Sequence, residues 1–213
     1  MLRKVMSYLV VSGLLQLAAF SAAAESGFYV GLAAGVSNAS FEKATLDAAV
    51  DAAFAPIEVL GTSNLDNSAK SYGPFGGYSF NDYFALEAGY MKLSVANYDL
   101  LGGNPMNFFS AWRSWESEGF TVAVLGRLPI GKRFDVHART GIYFADTKFD
   151  QRMVVSTAGS DTSEEILFGL GVGYRIYDNL SAILDFSRYA DVGTEVTQET
   201  DVDTATLSLA FYF

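Results

Sequence analysis

No cysteine occurs among the 213 residues. Disulfides, thiolate metal sites and lipid attachment through an N-terminal cysteine are therefore excluded. The single histidine, His137, rules out a histidine metal cluster and offers only one imidazole base. Basic residues are few: 14 Lys and Arg stand against 24 Asp and Glu, a formal charge of −10. Such a chain lacks the basic face that phosphate backbones require, so no nucleic acid partner is expected. Half of the residues are hydrophobic, yet beyond the N-terminus no apolar run approaches the roughly 18 residues of a membrane helix. That combination leaves either alternating strands or a conventional core.

The N-terminus has the three parts of an export signal. Residues 1–4 carry Arg3 and Lys4, residues 5–20 are apolar, and Ala22, Ala23 and Ala24 form a small-residue cleavage site before Glu25. A signal peptide over 1–24 and one domain over 25–213 are predicted. Removing the leader leaves 12 basic residues against 24 acidic, a formal charge of −12.

From Gly27 onward the apolar residues alternate. Phe28, Val30, Leu32, Ala34 and Val36 oppose Tyr29, Gly31, Ala33, Gly35 and Ser37, a strand of the length that a tilted membrane crossing needs. Similar alternation covers 72–80, with Pro74 predicting a bulge or an early end because it cannot donate to a ladder. It continues over 84–91, 120–128, 134–144, 166–174 and 182–187, and finishes with Ala205, Leu207, Leu209, Phe211 and Phe213 on one face. Eight strands result. The larger apolar residues share one face, whereas the other mixes glycine and small residues with Glu87, Arg127, Asp135, Arg139, Arg175 and Asp185. A soluble sandwich or lipocalin-like barrel would turn the large residues inward. An eight-stranded barrel has a lumen just wide enough for small residues and paired charges, with the large residues on lipid. The predicted fold class is an all-β, eight-stranded antiparallel up-and-down transmembrane β-barrel.

The connections near 81–82, 131–132 and 178–179 are short and lie at the end that carries both termini, which is the periplasmic side in this architecture. Tyr78, Phe80, Tyr83, Phe84, Phe134, Tyr174, Tyr177, Phe211 and Phe213 cluster there as an interfacial girdle would. Long polar loops are predicted at the other end, over 38–70, 96–118, 148–165 and 190–203. In the first of them Leu46, Ala49, Val50, Ala53, Phe54 and Ile57 recur at helical spacing, so a short amphipathic helix is expected there.

The segment 76–90, GGYSFNDYFALEAGY, resembles strands two and three of the OmpA transmembrane domain, and residues 135–139 through 145–148 resemble that family's fifth strand and third loop. The resemblance covers nearly all of the mature chain. With no peptidoglycan-binding domain expected after the last strand, the organisation is similar to the small stand-alone OmpX-like barrels. It implies an interior charge cluster in which Glu87 matches the family's buried glutamate, Arg139 an interior arginine and Asp185 an acid on strand seven. Other members of that cluster are replaced here by Leu125, Gly173 and Ile183, which leaves a structural pairing rather than a gate. The resemblance also implies that terminal Phe213 is a signal read by the barrel-assembly machinery.

Catalysis, cofactors and metals find little support. An outer-membrane enzyme places a base beside a nucleophile or paired carboxylates at the outer rim, whereas His137 reads as interior and near the periplasmic end. Asp191, Glu195, Glu199, Asp201 and Asp203 form an acidic loop, able at most to hold divalent cations weakly against lipopolysaccharide. The expected protein is a monomeric barrel of the Gram-negative outer membrane, in contact with lipid and lipopolysaccharide. Its role is structural or surface-interactive, through loops exposed to a ligand. A small channel is the alternative, and a lipid-modifying enzyme is third.

Overall fold

The computed structural model of the chain describes residues 26–40, 60–66, 68–104, 107–152, 156–194 and 199–213. The predicted leader and first-loop helix lie outside these residues. The described elements are all strands: β1 (Gly27–Ala39), β2 (Leu60–Asp66), β3 (Ser68–Ser79), β4 (Phe84–Asn104), β5 (Asn107–Ile130), β6 (Phe134–Arg152), β7 (Ser156–Tyr177), β8 (Leu180–Val192) and β9 (Thr200–Tyr212). Every pairing is antiparallel, and the sheet closes on itself through β1 with β9 and β4 with β5. β3 pairs with the lower part of β4 and β2 with its upper part. These two segments therefore share one wall, and the barrel has eight.

Closure follows from the solvent. Hydrocarbon offers no partner for backbone amides and carbonyls, so only helices or edgeless sheets can cross it. The alternation shows which face meets that hydrocarbon. Phe28, Leu32, Phe120 and Leu170 are 66%, 69%, 64% and 65% exposed on the outside, while Ala123, Thr121, Thr206 and Ser208 are buried in the lumen. On β6 the outward apolar run extends from Phe134 to Phe144. At about 3.3 Å per residue and a tilt of about 40°, that run spans about 25 Å of bilayer.

Short connections are set by local chemistry. Asn81 Oδ1 accepts hydrogen bonds from the amides of Tyr83 and Phe84, both at 2.8 Å, which folds the chain back between β3 and β4. Gly131 takes φ 71° in the turn between β5 and β6, where a side chain would be strained.

Three expectations need revision. β3 runs through Pro74 with unchanged register on both sides of it against β4, and Leu32 of β1 still pairs with Pro74. The strand therefore neither bulges nor ends there. Residues 60–66 lie on β2 rather than in a loop. Residues 96–104 and 107–118 form a long hairpin continuing β4 and β5, and β6 and β7 likewise continue to Arg152 and from Ser156. Beyond Phe144, β6 rises about 20 Å further at the same tilt. By contrast, β1, β8 and β9 stop at Ala39, Val192 and Thr200, so one side of the barrel is much taller than the other.

Candidate functional site: a closed lumen and an outward charge belt

The inward face of β6 carries Asp135, His137 and Arg139 at successive inward positions. Arg139 Nη2 lies 3.0 Å from Glu87 Oε1 of β4, with side chains 12% and 6% exposed. Between them on β5 stand Ala123 and Leu125, paired with Glu87 and Arg139 respectively. The Tyr29 hydroxyl donates to the other carboxylate oxygen, Glu87 Oε2, at 3.2 Å.

Asp185 takes a different partner. His137 Nε2 lies 2.8 Å from Asp185 Oδ1 and Nδ1 lies 3.1 Å from Asp135 Oδ1. With a carboxylate at each ring nitrogen, the arrangement is fully satisfied when both nitrogens donate. Its register explains how it fits, because His137, Gly171 and Asp185 occupy one cross-strand row over β6, β7 and β8. A Cβ at Gly171 would collide with His137 Nε2 and lie 2.6 Å from Asp185 Oδ1. The glycine leaves the gap that the bridge spans. Thus Glu87 is joined to Arg139, and the third expected member, Asp185, is joined to His137.

Closure extends above and below this layer. Toward the outside, Tyr143, Tyr189, Leu93, Leu167, Val192 and Val202 are fully buried in the lumen. The hydroxyls of Tyr143 and Ser117 meet at 3.1 Å. Toward the short turns, Arg127 donates to Ser79 Oγ at 3.0 Å and lies over the rings of Tyr29 and Tyr212, 5.2 and 5.9 Å from their centroids. The cavity among Glu87, His137, Arg139 and Asp185 leaves about 30 Å³ for the centres of water molecules, room for only a few of them. At the short-turn end the lumen widens into a cup of about 860 Å³.

The other charged feature lies outside, just above the apolar band. Lys148 is 2.7 Å from Glu118, and Lys92 is 3.3 Å from Glu116. On β8, Arg188 forms a two-pronged pair with Asp203, both contacts at 2.6 Å, and reaches Asp201 at 3.5 Å. Two of the five acids of the predicted acidic loop are thus held by an arginine from the neighbouring strand. Glu195 lies outside the described residues. At the other end of the barrel, the Phe213 amide donates to the Phe28 carbonyl at 3.0 Å, and its ring packs on Phe211.

His137 is interior, as its sequence position predicts, whereas its place in the charge layer and the role of Gly171 are not evident from sequence. His137 shares the inward parity of Arg139, which was the available signal, but its partner depends on the register of two further strands.

A closed antiparallel barrel with an apolar outer band, a packed lumen and short turns at one end is an outer-membrane β-barrel. The chain belongs to the OmpA-like transmembrane domain family, whose model matches residues 23–213. It is 29% identical over 139 residues to outer membrane protein A of Salmonella typhi, covering 64% of this chain and 37% of that protein. It therefore spans well under two thirds of the length of these relatives. An uncharacterized protein of Coxiella burnetii is 27% identical over 180 residues, covering 69% of this chain and 71% of that one. Among solved structures, Neisserial surface protein A superposes with a TM-score of 0.57 at 13% identity, covering 88% of this chain and 99% of that chain. The protein resides in the Gram-negative outer membrane.

Proposed function

We propose that this barrel acts as a closed envelope element whose outward strands and loops meet a surface ligand or a neighbouring envelope component, without forming a pore. The observation that carries this reading is the contrast between a lumen whose charged layer leaves room for only a few water molecules and strands β4 to β7 that continue far past the apolar band. Material invested beyond the membrane, on a rigid scaffold, is where recognition is usually placed. In planar bilayers the purified barrel should show no stable conductance, and a sustained open level would put the channel reading first. Protease shaving of intact cells should remove the projecting strands and abolish capture of any surface ligand.

Catalysis is not part of this reading. Both nitrogens of His137 face carboxylates, and His137 sits below the Tyr143 and Tyr189 layer, away from the projecting strands. Turnover of labelled lipid A by the folded protein would overturn that view.

Assembly follows the same reading: the leader is removed before Glu25, and Phe213 is recognised by the assembly machinery. Intact mass of the membrane-inserted protein should correspond to residues 25–213. Deleting Phe213 should lower the yield of heat-modifiable folded barrel in cells, and unchanged yield would remove the terminal residue from the signal.

A further inference from the structure

Most charges of the lumen are matched: Glu87 faces Arg139, and Asp135 and Asp185 face His137. Arg127 is the exception. It pairs in register with His137 and lines both the charged cavity and the cup at the short-turn end, so that it forms the floor of the cup. Its guanidinium lies over the rings of Tyr29 and Tyr212 and donates to Ser79 Oγ at 3.0 Å. No carboxylate stands within ion-pair distance of it among the described residues. A half-buried guanidinium with five N–H donors and no counter-charge is costly unless an acceptor reaches it.

The rim of the cup repeats the sign. The Arg175 amide donates to the Arg133 carbonyl at 2.8 Å, which sets two exposed arginines side by side on neighbouring strands, with Lys132 next in the turn. Like charges so placed repel unless an anion comes between them, and none of the three has an acid within ion-pair distance among the described residues. The acids of the cup are Asp82, Asp135 and Asp178, and Asp135 is engaged by His137. Four cations therefore face two uncommitted acids, in a chain whose overall charge is −10.

The donor set selects the anion. Three guanidinium forks offer more than the two oxygens of one carboxylate can take up, whereas a phosphate presents oxygens on several sides and matches the fork two-pronged. Enclosure selects its carrier. Arg127, Ser79 and Ser181 line the inside of the wall, so a lipid headgroup, tethered to acyl chains outside the barrel, would have to leave its leaflet to reach them. We infer that the cup binds a phosphate group carried by a soluble solute, with Arg127 on the floor and Arg133 and Arg175 closing on it from the rim.

The test is calorimetric titration of the folded full-length barrel, in uncharged maltoside micelles at constant ionic strength, with inorganic phosphate as the probe. Saturable binding of one phosphate per barrel is expected. Arg127→Gln should weaken it at least about tenfold, and so should the double variant Arg133→Gln, Arg175→Gln, whose side chains are exposed and whose barrel should keep its heat-modifiability. Arg188→Gln on the outer face of β8 should bind as the parent does. Transfer to zwitterionic nanodiscs should preserve binding, with or without added phosphatidylglycerol. Uptake that does not saturate, affinity unchanged in the rim double variant, or loss of binding when phosphatidylglycerol is added overturns the inference, the last because the cup would then be filled by lipid headgroups.

Discussion

The protein places the same kinds of charged pair in two surroundings. Inside, Glu87 and Arg139 are 6% and 12% exposed at 3.0 Å. Outside, Arg188 and Asp203 are 43% and 46% exposed, with better geometry, at 2.6 Å and two-pronged. If distance decided strength, the outer pair would be the stronger. Burial decides instead, because an enclosed charge left without its partner cannot recover hydration, while an exposed one can.

The largest expected effect follows from that asymmetry. Arg139→Ala strands Glu87 in the lumen with only the Tyr29 hydroxyl and should destabilise the barrel by about 3–5 kcal/mol, less if water enters the space vacated. Urea unfolding in detergent or lipid measures it. The double variant Glu87→Gln, Arg139→Met removes both charges and should recover much of the loss, since a buried pair exchanged for uncharged groups is often near neutral. No recovery would mean that the two side chains matter through packing rather than charge.

A smaller effect is expected one row lower. His137→Ala leaves Asp135 and Asp185 facing each other without their shared donor, a loss of about 1.5–3 kcal/mol for hydrogen bonds to charged groups. Asp135 is 32% exposed on the side chain, against 8% for Asp185. Water entering from the short-turn cup should therefore rescue the first carboxylate and not the second. Gly171→Val, which fills the gap while leaving both charged side chains in the chain, should reproduce the His137→Ala phenotype. Wild-type unfolding for Gly171→Val would show that the bridge can form by another route.

Most of the wall was legible because lipid writes itself on the outward face: where hydrocarbon touches a strand, most of the alternate residues are large and apolar. Above Phe144 that pressure ends. Outward positions become Asp146, Lys148 and Glu118, the alternation loses its apolar half, and the continuing ladders of β4 to β7 read as loops although backbone pairing carries on. Pro74 acts in the opposite direction: it lacks a ladder donor, yet the pairing of β3 with β1 carries the strand past it. Inside, Glu87, Arg139 and Asp185 stood out as charges on a face of small residues. Their partners could not be read from parity alone. That Glu87 reaches Arg139 across Ala123, and Asp185 reaches His137 across Gly171, depends on the stagger between strands, which no single strand's sequence contains.

The smallest predicted effect completes the comparison. Arg188 lies on the outer face with a carboxylate partner on the neighbouring strand and a second acid nearby, the best-formed ion pair by distance among the described residues. Its removal leaves Asp201 and Asp203 in contact with solvent, where each can be hydrated and where salt at about 0.15 M screens charges beyond about 8 Å. Arg188→Ala should therefore unfold at the wild-type urea concentration within error at that ionic strength, with any difference appearing only at low salt, where repulsion between the two aspartates is least screened. Measuring both arginine variants in the same lipid at high and low salt separates the two surroundings. Equal losses for Arg139→Ala and Arg188→Ala, each insensitive to salt, would mean that the outer belt is as sheltered as the lumen and that the bilayer boundary lies higher than the end of the apolar band.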